Sequence, residues 1–444
     1  MTFIDLTKAF DSVNRDRLWR IMEKFGCTHK FINIVRQFHE GMTARVLNDG
    51  ELSEAFHVTN GVKQGCVLAP TLFSMMYAAM LSDAFMNSDD GVHIQYRTDG
   101  RLFNLRRLNA FTKIKKSSIL DLLFADDCAI ATSSEEDMQI SIDKFSNSCD
   151  SFGLSINTRK TEVMMQPAPN GHYPDPVIKI KNQSLQVVDS FTYLGSTLSK
   201  TVAIDYEVNN RIAKASAAFG RLRNNVWDRK GISLATKIKV YQAIVLTTLL
   251  YASETWTVYS RHARKLNHFH TCCLRRLIRV KWQDKVPDSE VLTRAKLPSI
   301  YTLLKKAQVR WAGHVVRMSD KRIPKQLLYS QLSTGKRPAG GQRKRYKDSL
   351  KVSLKSFNID ITDWENLAQD RSTWRSKITR GARTAELRHT ADAQRKRAAR
   401  KDRTTNTHMS NADYMCPTCG RGFCARIGLY SHLRTHQRGA TTHI

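Results

Sequence analysis

Two short apolar runs, residues 119–124 and 128–131, are rich in strand formers and flank Ala125-Asp126-Asp127. That pattern predicts a tight, largely buried hairpin with acids at its tip. Residues 2–6 read as another strand, interrupted by Asp5 and continued by residues 7–13. Residues 18–25, 31–39 and 72–85 read as helices, so the first 200 residues mix strand and helix in an α+β manner. From about residue 205 the period changes. Val208, Ile212, Ala215, Phe219, Leu222 and Val226 step by four and three along one helical face. Residues 238–251 read as a second helix, apolar nearly all round in its later half and so expected to be buried. Residues 268–280 read as a third, with Arg275, Arg276 and Arg279 near its end. The Pro- and Asn-containing stretch 167–176 predicts a loop, and no internal repeat is evident.

The acids change this picture from architecture to chemistry. A carboxylate within an apolar run is costly unless a cation neutralises it, and a divalent metal is the usual solution. Asp126-Asp127 alone would read as an ordinary turn, because Asp is a common turn residue. A strand carrying Asp5 beside the hairpin would instead gather three carboxylates, enough for two Mg²⁺ ions. Such a pair activates an attacking hydroxyl and stabilises a leaving pyrophosphate in an in-line displacement. This is polymerase chemistry.

Charge agrees with a nucleic-acid partner: 71 Lys and Arg stand against 40 Asp and Glu, a formal +31 in 444 residues, which favours phosphate binding by counterion release. No apolar run approaches the ~18 residues of a membrane span, and the start lacks the regions of a signal peptide. A location in nucleus and cytoplasm, without a membrane, is expected. Nine cysteines, scattered except for the last three, speak against a disulfide framework. Residues 371–403 carry twelve Lys or Arg against three acids, which reads as an exposed helix or a disordered linker that binds nucleic acid. Its run from Arg395 to Lys401 also suits a nuclear import signal.

The tail carries a sharper local signal. Cys416-x2-Cys419-x12-His432-x3-His436 has the spacing of a tetrahedral Zn²⁺ site, with Phe423 and Leu429 as its two apolar positions and Cys424 as a spare. The reading positions of the helix would be Ala425, Gly428 and Ser431, which lack the bidentate groups that read purines. The stretch around Trp311-Ala312-Gly313-His314 carries no assignable chemistry, and His314 reads as a structural histidine.

The ordered motifs resemble those of reverse transcriptases of non-long-terminal-repeat (LINE-type) retrotransposons. They are Phe3 to Asp11 (F-x-D-x-x-x-A-F-D), Gln64 to Pro70 (Q-G-x-x-L-x-P), Phe124 to Asp127, then Gly153 to Asn157 with Lys160-Thr161, and Phe191 to Gly195. The resemblance spans roughly residues 1–330; the Trp311 stretch and the terminal Cys/His motif also have counterparts in such proteins. It implies a right-hand polymerase palm with Asp5 and Asp126 as principal Mg²⁺ ligands and Asp127 as a third acid. It further implies Phe10 as a steric gate against ribonucleotides, Gln64 and Gly65 as nucleotide contacts, and Lys160 as the group that neutralises departing pyrophosphate. Lys63 stands where many relatives carry proline. The resemblance divides the chain into a palm without its fingers (1–204), a helical thumb or connection (205–330), a basic linker (331–410) and a small ββα Cys₂His₂ zinc finger (411–440). Expected partners are an RNA template, the element's own RNA and a DNA primer or target. A fingers-less chain could instead be an inactive nucleic-acid-binding remnant. A zinc-finger regulator is disfavoured by the single finger and its small reading residues.

Overall fold

The computed structural model describes residues 1–86, 88–110, 112–167, 173–333, 344–410, 414–423 and 425–439. Its first half is built on a five-stranded sheet in the order Gln186–Val187, Glu162–Val163, Thr2–Ile4, Asp127–Ile130, Asp121–Phe124. Thr2–Ile4 runs antiparallel to both neighbours. Its residues alternate between the faces, as a strand requires. Ile4 points into a core shared with helices α1 (Arg15–Lys24), α2 (His29–Gln37), α3 (Ala69–Phe85) and α4 (Glu135–Phe152). Phe3 points the other way and stacks on Phe191 at 4.0 Å, in a hairpin of Ser190–Tyr193 and Ser196–Ser199. Side-chain caps start three of these helices: Asn14, Thr28 and Ser134 accept from Arg17, Phe31 and Asp137 amides. Pro70 sits in the first turn of α3, where a missing amide hydrogen costs nothing. The predicted loop 167–176 falls partly outside the described residues.

The helical half begins where the period changed. α5 (Asp205–Arg221) packs with α6 (Leu234–Val240), a π-helical stretch Tyr241–Leu246, α7 (Thr247–Leu249), α8 (Ser260–Leu277), α9 (Asp288–Ala295) and α10 (Ile300–Val316). Residues 238–251 are not buried all round as expected. Tyr241, Val245, Leu246 and Leu249 turn inward, while Ile244 is 41% and Tyr251 49% exposed; apolar content says how much can be buried, not which side is covered. α8 starts eight residues before the predicted 268. Its charged first turn is tied down by Asp205, which reaches Arg261 at 2.6 Å and His262 at 3.1 Å.

The expected basic linker over 331–410 needs correction. α12 (Tyr346–Ser356), α13 (Trp364–Gln369) and α14 (Arg371–Ser410) follow α11 (Ile323–Tyr329), and they build a third core with the far side of α10. Leu350, Leu354, Trp364, Trp374 and Ile378 are buried there beside Val309, Ala312 and Val315. The charge count of 371–403 masked an apolar stripe, Trp374, Ile378 and Ala382, at helical spacing. This core also takes Leu102 from the first half, and Ser330–Leu332 extends a sheet of Val92–Tyr96 and Lys115–Ile119. Residues 334–343, a stretch rich in Gly, Lys and Arg, lie outside the described set. The chain ends in a hairpin, Tyr414–Met415 with Gly422–Phe423, and α15 (Arg426–Gly439). Among the described residues no helix is long and apolar enough to cross a membrane.

Candidate active site and metal centre

The acids of the first and third motifs meet at one end of the sheet. Thr2, Phe3 and Ile4 pair with Ile130, Ala129 and Cys128, and one further step of that register sets Asp5 opposite Asp127. The neighbouring hairpin pairs Phe124 with Asp127 across the two-residue turn Ala125-Asp126, with Ala125 left-handed at φ 55°. Asp127 therefore opens a strand and only Asp126 occupies the tip. The hairpin is less buried than predicted. Asp121–Phe124 is the edge strand, which leaves Phe124 65% exposed.

Burial first, then the charges of Asp126 and Asp5, push the Asp127 carboxyl above its ordinary pKa. Asp126 and Asp5 thus stand close enough to be felt. Their donor oxygens do not converge into one tight cluster; among the described residues only the terminal Cys/His group has all its donor atoms within 4.8 Å. Three like-charged side chains part where they can, and Asp5 turns toward Lys160, whose Nζ lies 3.7 Å from its carboxylate.

Asp5 is set by its backbone. Its amide donates to Thr161 Oγ1 at 3.3 Å, and its carbonyl accepts from the Asn157 amide at 2.8 Å. Leu6 bridges to Ile156 and the Thr7 amide reaches the Ser155 carbonyl. The Gly153-to-Thr161 motif is thus a clamp on the first acid, and it delivers Lys160 to the site. On the other side, the Tyr193 hydroxyl donates to the Leu122 carbonyl at 2.9 Å and lies 3.5 Å from that of Asp127. The Phe191-to-Gly195 motif is a hairpin that props the acidic one. Asn157, Thr161 and Tyr193 all lay within quoted motifs, yet their roles run through backbone partners that residue type does not announce.

The glutamine turn is placed by a strand-like approach. Gly61 and Val62 amides donate to Val13 and Phe10 carbonyls at 2.8 and 2.9 Å, while Arg15 spans the carbonyls of Gly61, His39 and Asn60. A Cβ on Gly61 would lie 2.6 Å from the Asp11 carbonyl oxygen, and its φ of +83° is left-handed besides. Gln64 and Gly65 follow in an exposed turn ahead of α3. Phe10 is 8% exposed and packs at 4.6 Å against Phe73, which places its ring in the core. Of the arginines near the end of α8, Arg275 is committed to the Val286 carbonyl and Asp288.

At the carboxy end, Cys416, Cys419, His432 and His436 converge on the hairpin–helix unit, with Phe423 against His432 at 4.9 Å and Gly428 beside Phe423. Cys424 lies outside the described residues.

Comparison with known proteins agrees with this geometry. The reverse transcriptase (RNA-dependent DNA polymerase) family matches residues 1–198. A transposon-derived protein of Caenorhabditis elegans is 26% identical over 283 residues, 60% of this chain and 98% of its own length. The RNA-directed DNA polymerase from mobile element jockey of Drosophila funebris is 24% identical over 65% of the chain. A retrovirus-related Pol polyprotein from a type-2 retrotransposable element of Drosophila melanogaster is 27% identical over 35% of it. The chain spans 29% and 13% of the length of these last two. With five ordered motifs and an acidic sheet end behind that match, residues 1–198 match the reverse transcriptase family and are similar to the polymerases of LINE-type retrotransposons.

Proposed function

We propose that this chain is the polymerase portion of a retrotransposon protein, adding deoxynucleotides to a primer 3′-hydroxyl on an RNA template. The observation that carries the reading is the register that brings Asp5 opposite Asp127 beside the Asp126 turn. Residues 1–204 would serve as palm and 205–330 as thumb. Asp5 and Asp126, with Asp127, would hold Mg²⁺; burial first, and then the Asp126 and Asp5 charges, raise the Asp127 pKa, and a cation would relieve both. The metal would activate the primer oxygen and screen the phosphates. A bond forms between that oxygen and the α-phosphorus, the bond to pyrophosphate breaks, and Lys160 would neutralise the leaving group. Gln64 and Gly65 would contact the nucleotide. Phe10, at 8% exposure, would gate the sugar from its place in the first motif. The terminal unit would be a Cys₂His₂ zinc finger, and the 395–401 cluster would support nuclear import.

Extension of a DNA primer on RNA with Mg²⁺ tests the polymerase. Asp126→Asn should abolish extension and leave nucleic-acid binding largely intact; a variant as active as the parent would refute the metal assignment. The finger is tested by zinc content. The full chain should carry one Zn²⁺, lost in Cys419→Ser, and zinc retained by that variant would dismiss the ligand set.

A further inference from the structure

The groove between α10 and α14 is a strongly basic site, far along the chain from the aspartates. Its cavity measures about 740 Å³. Lys306 and Arg310 line it from one face of α10, Arg317 from the end of that helix, and Arg371 and Arg375 from the first turns of α14. Glu254 is the one acid in its lining, and it makes no ion pair with a described residue. The side chains of Lys306, Arg310, Arg371 and Arg375 likewise have no ion-pair or hydrogen-bond partner among the described residues; Arg375 receives the Thr379 hydroxyl only at its main-chain carbonyl. Arg317 is spent partly on the Ala368 carbonyl at 2.6 Å; burial and the nearby Arg371 charge hold its pKa down. An aromatic surface lies among these charges. The half-buried Trp311 ring sits 5.5 Å from the exposed His314 ring. The groove exists because α14 can approach so closely: a Cβ on Gly313 would meet Trp374 Nε1 at 2.0 Å.

We infer that this groove binds single-stranded nucleic acid, with phosphates along the two rows of cations and a base against Trp311 and His314. Cations flanking an accessible ring are the arrangement that holds a single strand without reading its sequence. A cleft between two helices admits one strand and excludes the broad surface of a duplex. The inference rests on the polymerase reading only in taking nucleic acid as the partner, and it gives the Trp-x-Gly-His stretch a role: Gly313 shapes the cleft and its neighbours line it.

The test titrates the full chain with a labelled oligouridine over a range of salt. The triple variant Arg310→Gln, Arg371→Gln, Arg375→Gln should bind about tenfold more weakly near 0.15 M salt, with a salt slope smaller by about 2. A control that removes the same charge from exposed positions of the first half, Arg20→Gln, Lys24→Gln, Lys30→Gln, should keep its affinity, as should the groove variant toward a duplex. Trp311→Ala should weaken the strand about tenfold and Trp311→Phe should not. Equal losses in the two triples would mean that net charge alone is responsible and would overturn the inference. So would undiminished binding by the groove triple when primer extension by the parent chain is intact. A parent chain that neither extends a primer nor binds any strand would defeat the polymerase reading together with this one.

Discussion

Asp127 combines a demand of chemistry with a cost in stability. Partial burial and the neighbouring Asp126 and Asp5 charges raise its pKa in the folded protein. A group whose folded pKa lies above its unfolded value contributes stability at low pH, and that contribution is lost as pH rises through the folded value. Asp127→Asn should therefore raise the melting temperature at pH 7, by on the order of 1–3 °C, and change it little at pH 3. Mg²⁺ should raise the melting temperature of the parent more than that of the variant, which keeps Asp5 and Asp126 but not the third carboxylate. Melts at the two pH values, with and without the metal, read this directly; a variant that gains nothing at pH 7 would show that no like-charge strain exists there. The three acids were legible in the sequence because a charge within an apolar run needs an explanation. Their supports were not. Asn157 holds Asp5 through a main-chain amide, and Tyr193 props Asp127 through main-chain carbonyls, so only the folded chain shows whom they serve. Phe10 was legible as a motif position, and its packing on Phe73 was not.

At the level of elements, two helices meet only because one lacks a side chain. Gly313→Ala on α10 would drive a methyl into the Trp374 indole, an overpacking that costs about 1–3 kcal/mol. Denaturation followed by tryptophan fluorescence should show that loss, and an unchanged midpoint would mean that α14 can shift aside without cost. Glu386 of α14 also receives the Ser299 amide and hydroxyl, at 3.0 and 2.7 Å, at the start of α10. Such pairings explain why 371–403, read as an exposed helix or a disordered linker, is a helix with one covered face. A run of twelve cations dominates the average, whereas the decisive contacts are an occasional Trp, Ile or Ala and one acid. α8 carries a different liability. His270 is fully buried beside the Tyr241 hydroxyl, 2.8 Å from its Nδ1, and burial lowers its pKa from 6.5 to about 4. A lowered histidine contributes stability above its unfolded pKa that is lost as pH falls toward the folded one. The helical core should lose roughly 3 kcal/mol between about pH 6.5 and 4. His270→Gln should flatten that dependence in denaturation curves taken across the interval, and an equally steep loss in the variant would assign it to other groups.

For the whole molecule, the boundary near 204 coincides with a change of core, since Ile204 already packs with α5 and its neighbours. The boundary at 330 does not. Leu102 is fully buried in the core made by α10 to α14, and its amide donates to Glu365 at 3.0 Å. Arg107 donates to the Tyr329 carbonyl at 3.1 Å, Tyr329 donates to Glu365, and Thr98 donates to Asp320 at 2.8 Å. Residues 92–119 thus leave the first half and finish the third core, a crossing that no local periodicity records because its partners lie more than two hundred residues away. The consequence is testable by truncation. A chain ended at residue 330 should uncover Leu102, Val309 and Val315 and lose the Ser330–Leu332 strand, so it should bind a hydrophobic dye and aggregate. A chain ended at residue 410 keeps all of that core and should bind little dye, stay free of aggregates and melt sharply. The point substitution Leu102→Ala separates coupling from deletion. It removes a buried side chain at a cost of about 2–5 kcal/mol, and it should expose α14 to protease although the altered residue lies in the first half. If the 330 truncation melts as cooperatively as the 410 one and Leu102→Ala leaves α14 protected, the two regions fold separately. Otherwise the groove of α10 and α14 is tied to the sheet that carries Asp5, and a strand held in one is fixed in distance from the other.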